Sequence, residues 1–171
     1  MESQGNIKYN FNQFIDINVS NYNIEDTTKT ANIDIFKKTY ASIANSIIMY
    51  QKLLNLEDVI DLEFFQKELN MNILMASVIM QPPGSINILH TDKFYTLRKK
   101  HTNIKNLVRV NIFLEDWKIG HIVQTMKKTY SHWKQGDYII WDSSIEHLAS
   151  NLGIINKLTL QFSGSYNETC V

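Results

Sequence analysis

The apolar residues of this chain recur with two different periods, and the change from one to the other falls near residue 70. From Asn32, the positions Ile33, Phe36, Tyr40, Ile43, Ile47, Tyr50 and Leu54 return every three or four residues, which lines one stripe of an α-helix. Asn32 or Asp34 can cap its start. A shorter helical pattern runs from Asp61, a candidate N-cap, through Phe64, Phe65 and Leu69. Both stripes read as core, packing the helices against one sheet. Ahead of them, residues 6 to 30 mix Asn, Thr and Asp with Phe14, Ile15, Ile17 and Val19, a partial alternation that predicts a short extended segment laid against the body.

From Asn72 the pattern is that of strands. Residues 73–80 form an apolar run of strand length, which Pro82-Pro83-Gly84 stops because proline cannot donate to a ladder; Ser85 to His90 begins the next strand. Further runs at 107–114, 120–126, 137–142, 146–150 and 156–163 are punctuated by Glu115-Asp116, Gly120, Gly136-Asp137, Asn151 and Gly153. Many short strands after a helical prelude predict a mainly β fold with N-terminal helices, a jelly roll with the helices packed outside it. A length of 171 residues suits a single domain, with the prelude at about 32–70 and the β core at about 72–164. One stretch breaks the pattern: between Lys93 and Lys105 lie Arg98, Lys99, Lys100 and His101 and no acidic residue. A link of that length inside a compact β domain suggests a basic flap that orders over a substrate.

The candidate chemistry lies just before that link. His90 and Asp92 stand two apart at the end of a strand-like run, and residues two apart on a strand share a face. An imidazole and a carboxylate on one face are two of the three ligands of the 2-His-1-carboxylate triad, which holds a non-haem Fe(II) and leaves positions open. The third ligand must be a distant His. His147 is the best placed, because it follows a turn, a buried strand and a second turn over 133–142; His121 and His132 compete with it. Arg109 and Asn111 alternate with Val110, Ile112 and Leu114, so they face the barrel interior or pair at the surface with Glu115 or Asp116. Trp133 and Trp141 read as core, and Gly136-Asp137 as a turn.

Taken in order, Pro82-Pro83-Gly84, His90-Thr91-Asp92, Arg109 to Leu114, Trp133-x-x-Gly136-Asp137, His147 and Lys157 to Gly164 resemble the 2-oxoglutarate/Fe(II)-dependent oxygenases, particularly small prolyl-hydroxylase-like members carried by bacteriophages. The resemblance covers roughly residues 72 to 164. It implies a double-stranded β-helix of cupin-like architecture, with Fe(II) held by His90, Asp92 and His147, 2-oxoglutarate as cosubstrate and O2 as oxidant. It implies a hydroxylase of a protein side chain, peptide or small molecule, since Asp92 keeps the carboxylate that the family's halogenating branch replaces. In the family a basic residue, commonly Arg, sits about ten positions after the distal His and neutralises the far carboxylate of 2-oxoglutarate. Lys157 stands there; it keeps the charge and loses the planar fork. Thr159, on the same face, can add a hydroxyl, and Arg109 is the rival cation, with Asn111 beside it.

Two other classes compete. A cupin-type barrel without 2-oxoglutarate usually gathers three His and a Glu, a set absent from these motifs. A non-catalytic jelly-roll interaction module would have no need of His90, Asp92, His147 and Lys157 together. Nucleic-acid demethylases of the same superfamily typically carry a second Arg six residues after the first, where Ser163 stands here. With Lys+Arg and Asp+Glu equal at 17 each, no global field attracts nucleic acid, and the local basic link favours an anionic substrate. One cysteine, Cys170, allows no internal disulfide. Without a signal-like start or an apolar run of membrane length, the expected setting is the cytoplasm, the host's if the chain is viral.

Overall fold

The computed structural model describes residues 1–26, 48–59 and 61–167. Eleven strands and two short α-helices are found among them. A seven-stranded antiparallel sheet has the order β1 (Glu2–Asn6), β9 (Asp137–Asp142), β6 (Leu107–Phe113), β11 (Lys157–Tyr166), β4 (Met71–Gln81), β3 (Ile48–Leu54) and β2 (Asn23–Asp26). A four-stranded sheet has the order β5 (Ser85–His90), β10 (His147–Asn151), β7 (His121–Thr125) and β8 (Thr129–Tyr130). The two sheets pack as the jelly roll that strand spacing predicts.

Alternation sorts the large sheet into two faces. Val108, Val110 and Ile112 on β6, Leu158, Leu160 and Phe162 on β11, and Ala76, Val78 and Met80 on β4 enter the main core. There they meet Ile7, Phe11 and Phe14 from the N-terminal segment and Phe65 from helix α1 (Leu62–Glu68). The opposite, odd-numbered residues of the same strands face the small sheet. At one end they close a second core, where Phe113 stacks on Trp133 at 3.8 Å beside Val123, Ile139 and Trp141. Further along they turn polar and open a cavity.

Several sequence expectations meet a different outcome. Residues 33 to 47 of the long helical stripe fall outside the described residues, apart from its tail: Tyr50 and Leu54 lie on β3, a strand. There the pairing of Tyr50 with Met80 and of Leu54 with Ala76 on β4 outweighs the helical period. The second helix forms as expected, although Asp61 adopts a left-handed conformation (φ 60°) and makes no side-chain cap. The described part of 6–30 consists of two 3-10 turns, Phe11–Phe14 and Val19–Asn21, followed by β2. The polar strand β1 and the short β8 carry no apolar pattern by which they could be read. The basic link is partly helical: α2 (Tyr95–Lys100) is anchored by Phe94 and Leu97, which bury against Leu107.

A bulge in β4 lets both cores coexist. Ser163 pairs with Met75 but Gly164 with Ile73, so Leu74 is an extra residue and the parity of β4 reverses beyond it. A Cβ on Gly164 would lie 1.9 Å from the Asn72 carbonyl oxygen. Gly164→Ala is therefore expected to lower stability by about 1–3 kcal/mol. Urea denaturation monitored by circular dichroism measures this, and an unchanged midpoint would contradict the close approach.

Candidate active site

The polar half of the interior is a single cavity of about 310 Å³. Its walls include His90, Asp92, Arg109, Asn111, His147, Lys157 and Thr159, so the residues to which the resemblance gives a metal or cosubstrate role line one space. Those on β6, β10 and β11 arrive by strand parity. Arg109 and Asn111 sit on the inward face of β6, Lys157 and Thr159 on that of β11, and His147 opens β10.

His90 reaches the cavity by a different route from simple alternation. His147 pairs with His90, but Ala149 pairs with Asn87, which leaves one extra residue on β5. That bulge turns both Asn87 and His90, three apart, toward the cavity and leaves Leu89 outside. The strand then ends at His90, so Asp92 belongs to the following loop and not to a shared strand face. Its carboxylate is placed by partners instead. The Trp141 indole Nε1–H donates to Oδ2 at 2.7 Å, and Arg109 Nη1 lies 3.0 Å from Oδ1.

The ligand atoms of His90, Asp92 and His147 all lie within 4.8 Å of one another, a spacing one metal ion can bridge. The imidazoles are prepared for it. His90 Nδ1 lies 2.6 Å from the Ile88 carbonyl, and His147 Nδ1 lies 3.0 Å from that of Ile145. A carbonyl only accepts, so each Nδ1 carries the proton and each Nε2 keeps its lone pair for a ligand. Burial, opposed by the Asp92 charge, pushes the His147 pKa down to about 4, so its 3.7 Å approach to Asp92 joins a neutral ring to a carboxylate. Burial alone would raise the Asp92 pKa. The Arg109 charge, with His147 and the Trp141 hydrogen bond, brings it below the ordinary carboxylate value instead. Neutral imidazoles and one ionised carboxylate are a donor set that fits Fe(II).

The competing histidines lie elsewhere. His121 is fully buried with Nε2 on the Ile155 carbonyl and its ring facing Trp133. His132, at φ 59°, stacks on Trp117 at 4.1 Å. Neither lines the cavity.

At the far end, Lys157 is 2% exposed and donates to two backbone carbonyls, Ile122 at 3.1 Å and Ser150 at 3.2 Å. Among the described residues no carboxylate pairs with it. Burial drags its pKa from the ordinary lysine value to about 7. Ser150 is three residues from His147 along β10, a separation of about 10 Å. Between them, Gln161 Nε2 donates to Asn111 Oδ1 at 3.1 Å. Gln161 and the Trp141 hydrogen bond were not read from the sequence as parts of a site; parity with Lys157 and Thr159 would have flagged the glutamine, whereas the indole contact depends on tertiary packing alone. Arg109 pairs with neither Glu115 nor Asp116. It faces inward, over the Phe94 ring at 5.4 Å.

No protein-family model and no curated protein matches the sequence. Solved structures match the fold. A Pseudomonas putida prolyl-4-hydroxylase aligns with TM-score 0.52 and 10% identity over 86% of this chain and 93% of its own. The viral collagen prolyl hydroxylase of Paramecium Bursaria Chlorella virus-1, in its 2OG complex, aligns with TM-score 0.51 and 14% identity over 86% of this chain and 97% of its own. A predicted oxalate decarboxylase from Thermotoga maritima aligns with TM-score 0.44 and 17% identity over 69% and 81% of the two chains. At these identities the likeness is one of fold.

Because Trp141 touches both Asp92 and His147, paramagnetic Mn(II) in the site should quench its fluorescence. Titrated with Mn(II), the wild type and His132→Ala should show the same saturable quench and His147→Ala none. Loss of the quench in His132→Ala with retention in His147→Ala would reverse the ligand assignment.

Proposed function

We propose that the cavity is the active site of an Fe(II)- and 2-oxoglutarate-dependent dioxygenase that hydroxylates a protein side chain, a peptide or a small molecule. The observation that carries this reading is Lys157: a buried cation without a carboxylate partner among the described residues, in the same cavity as a candidate metal-binding triad and about 10 Å along the strand from it. An ammonium buried without a counter-ion is unfavourable, and a dicarboxylate with one end at the triad would supply that counter-ion. The fold likeness to two prolyl hydroxylases, one solved with 2OG, supports the same reading.

With Fe(II) on His90, Asp92 and His147, the metal and 2-oxoglutarate supply the activation of O2 and the oxidation of a substrate C–H bond. The protein's own tasks are holding and shielding. Lys157 binds the distal carboxylate, with the Thr159 hydroxyl as a second donor on the same face. The Asn111–Gln161 amide pair lines the middle of the cavity. Phe113, Val123, Ala149 and Ile79 form apolar walls that exclude water. On the open side, Lys93, Tyr95 and Thr96 of the basic segment border the space where substrate would enter. A cupin-type site is less well supported, because the donor set among the described residues stops at three.

Calorimetric titration of 2-oxoglutarate into the Mn(II)-loaded protein tests this reading. Lys157→Met should weaken binding by about two orders of magnitude or more and leave Mn(II) affinity alone. The sign of the pH dependence follows from the lowered lysine pKa. Above pH about 7 the free side chain is neutral, and a bound carboxylate raises its pKa, so binding takes up a proton. Affinity should therefore be full below about pH 7 and fall by up to tenfold per pH unit above it. Unchanged affinity in Lys157→Met, with a large loss in Arg109→Met, would transfer the carboxylate to Arg109.

A further inference from the structure

Arg109 holds a position where its charge opposes a metal ion. Its Nη1 lies 3.0 Å from Asp92 Oδ1, while Trp141 occupies Oδ2. The guanidinium lies 5.4 Å from the centre of the Phe94 ring, and that ring is 5% exposed in the small core with Leu97 and Leu107. Arg109 Nε is buried without a partner among the described residues. Ring, carboxylate and strand hold the arginine in the cavity, so its charge stays beside the ligand set.

We propose that Arg109 is a built-in counter-cation of the metal-binding carboxylate, and that it makes divalent-metal loading depend on a dianionic ligand in the same cavity. The inference rests on the reading of the cavity as a metal and 2-oxoglutarate site. Asp92 is its one anionic ligand and already has Arg109 at 3.0 Å; imidazole ligands bring no charge. A dication arriving alone therefore leaves a buried cluster of charge two, with Lys157 further along the same cavity. A dianion arriving with the metal cancels that charge. Metal and dianion must then strengthen each other's binding by the same factor, since coupling between two ligands is reciprocal. A residue that only propped up the Asp92 loop would produce no such dependence on charge.

The test is Mn(II) affinity of the full chain at pH 7, read from the electron paramagnetic resonance signal of free Mn(II), with and without saturating 2-oxoglutarate. In the wild type, 2-oxoglutarate should tighten Mn(II) binding by about tenfold or more. Arg109→Gln, which keeps a donor and loses the charge, should bind Mn(II) alone about tenfold more tightly and show a smaller enhancement. Arg109→Lys, which keeps the charge, should behave as the wild type. The inference is overturned if Arg109→Gln binds Mn(II) alone no more tightly than the wild type, or if its enhancement by 2-oxoglutarate is undiminished. Should the glutamine variant not fold, the wild type decides: Mn(II) and 2-oxoglutarate that both bind, but independently, overturn the inference and leave the dioxygenase reading standing. Failure of the wild type to bind Mn(II) or 2-oxoglutarate at all removes both.

Discussion

A residue on a strand can serve only one face of its sheet, and the candidate site depends on how the large sheet uses that constraint. On β6 and β11 the even-numbered side chains fill the main core, while Arg109, Asn111, Lys157, Thr159 and Gln161 point the other way. A slip of one residue in either strand would exchange the two sets, placing a lysine among phenylalanines and Leu158 in the cavity. The buried aromatic packing around Phe65 and Phe162, whose rings lie 5.2 Å apart, therefore fixes the register that assembles the polar residues. Two bulges set the limits of this rule. The one in β4 lets the strand change cores, and the one in β5 brings His90 to the same side as Asn87.

The two cations of the cavity have different circumstances. Arg109 has a carboxylate at 3.0 Å and an aromatic ring beneath it. Among the described residues Lys157 has only carbonyl oxygens as partners, and burial brings its pKa down to about 7. Coulomb attraction offsets desolvation in the first case and does not in the second. Arg109 lies at the triad end, already paired with Asp92, and this asymmetry is the reason the proposed function gives the ligand carboxylate to Lys157.

Much of this was legible in the chain because strand periodicity and metal-ligand chemistry are local properties. The strand at 137–142, the one expected at 107–114 and found at 107–113, and the shared face of Arg109 and Asn111 follow from alternation within a few residues, whereas alternation left open whether that face pointed inward. What was not legible depends on contacts distant in sequence. Ile48–Leu54 carries the tail of a helical period, and its neighbours on β4 make it a strand. The Asp92 carboxylate owes its position to Trp141, 49 residues away, and no spacing rule predicts that hydrogen bond. The strand β1 is polar, and its pairing with β9 is visible only once the sheet exists. Helix α2 lies in the segment expected to be a basic flap, and it was not legible as a helix because the small core beneath it, Phe94 and Leu97 on Leu107, joins residues that no single period connects.

In the proposed function one cavity holds a metal at one end and a dicarboxylate spanning to Lys157 at the other. A crystal structure of the protein grown with Mn(II) and 2-oxoglutarate under anaerobic conditions tests it most directly. The expected density is a metal on His90 Nε2, Asp92 Oδ2 and His147 Nε2, with 2-oxoglutarate chelating it and the distal carboxylate on Lys157 Nζ and Thr159 Oγ1. A metal bound away from these three residues, or a cavity that stays free of 2-oxoglutarate with the metal in place, would contradict it.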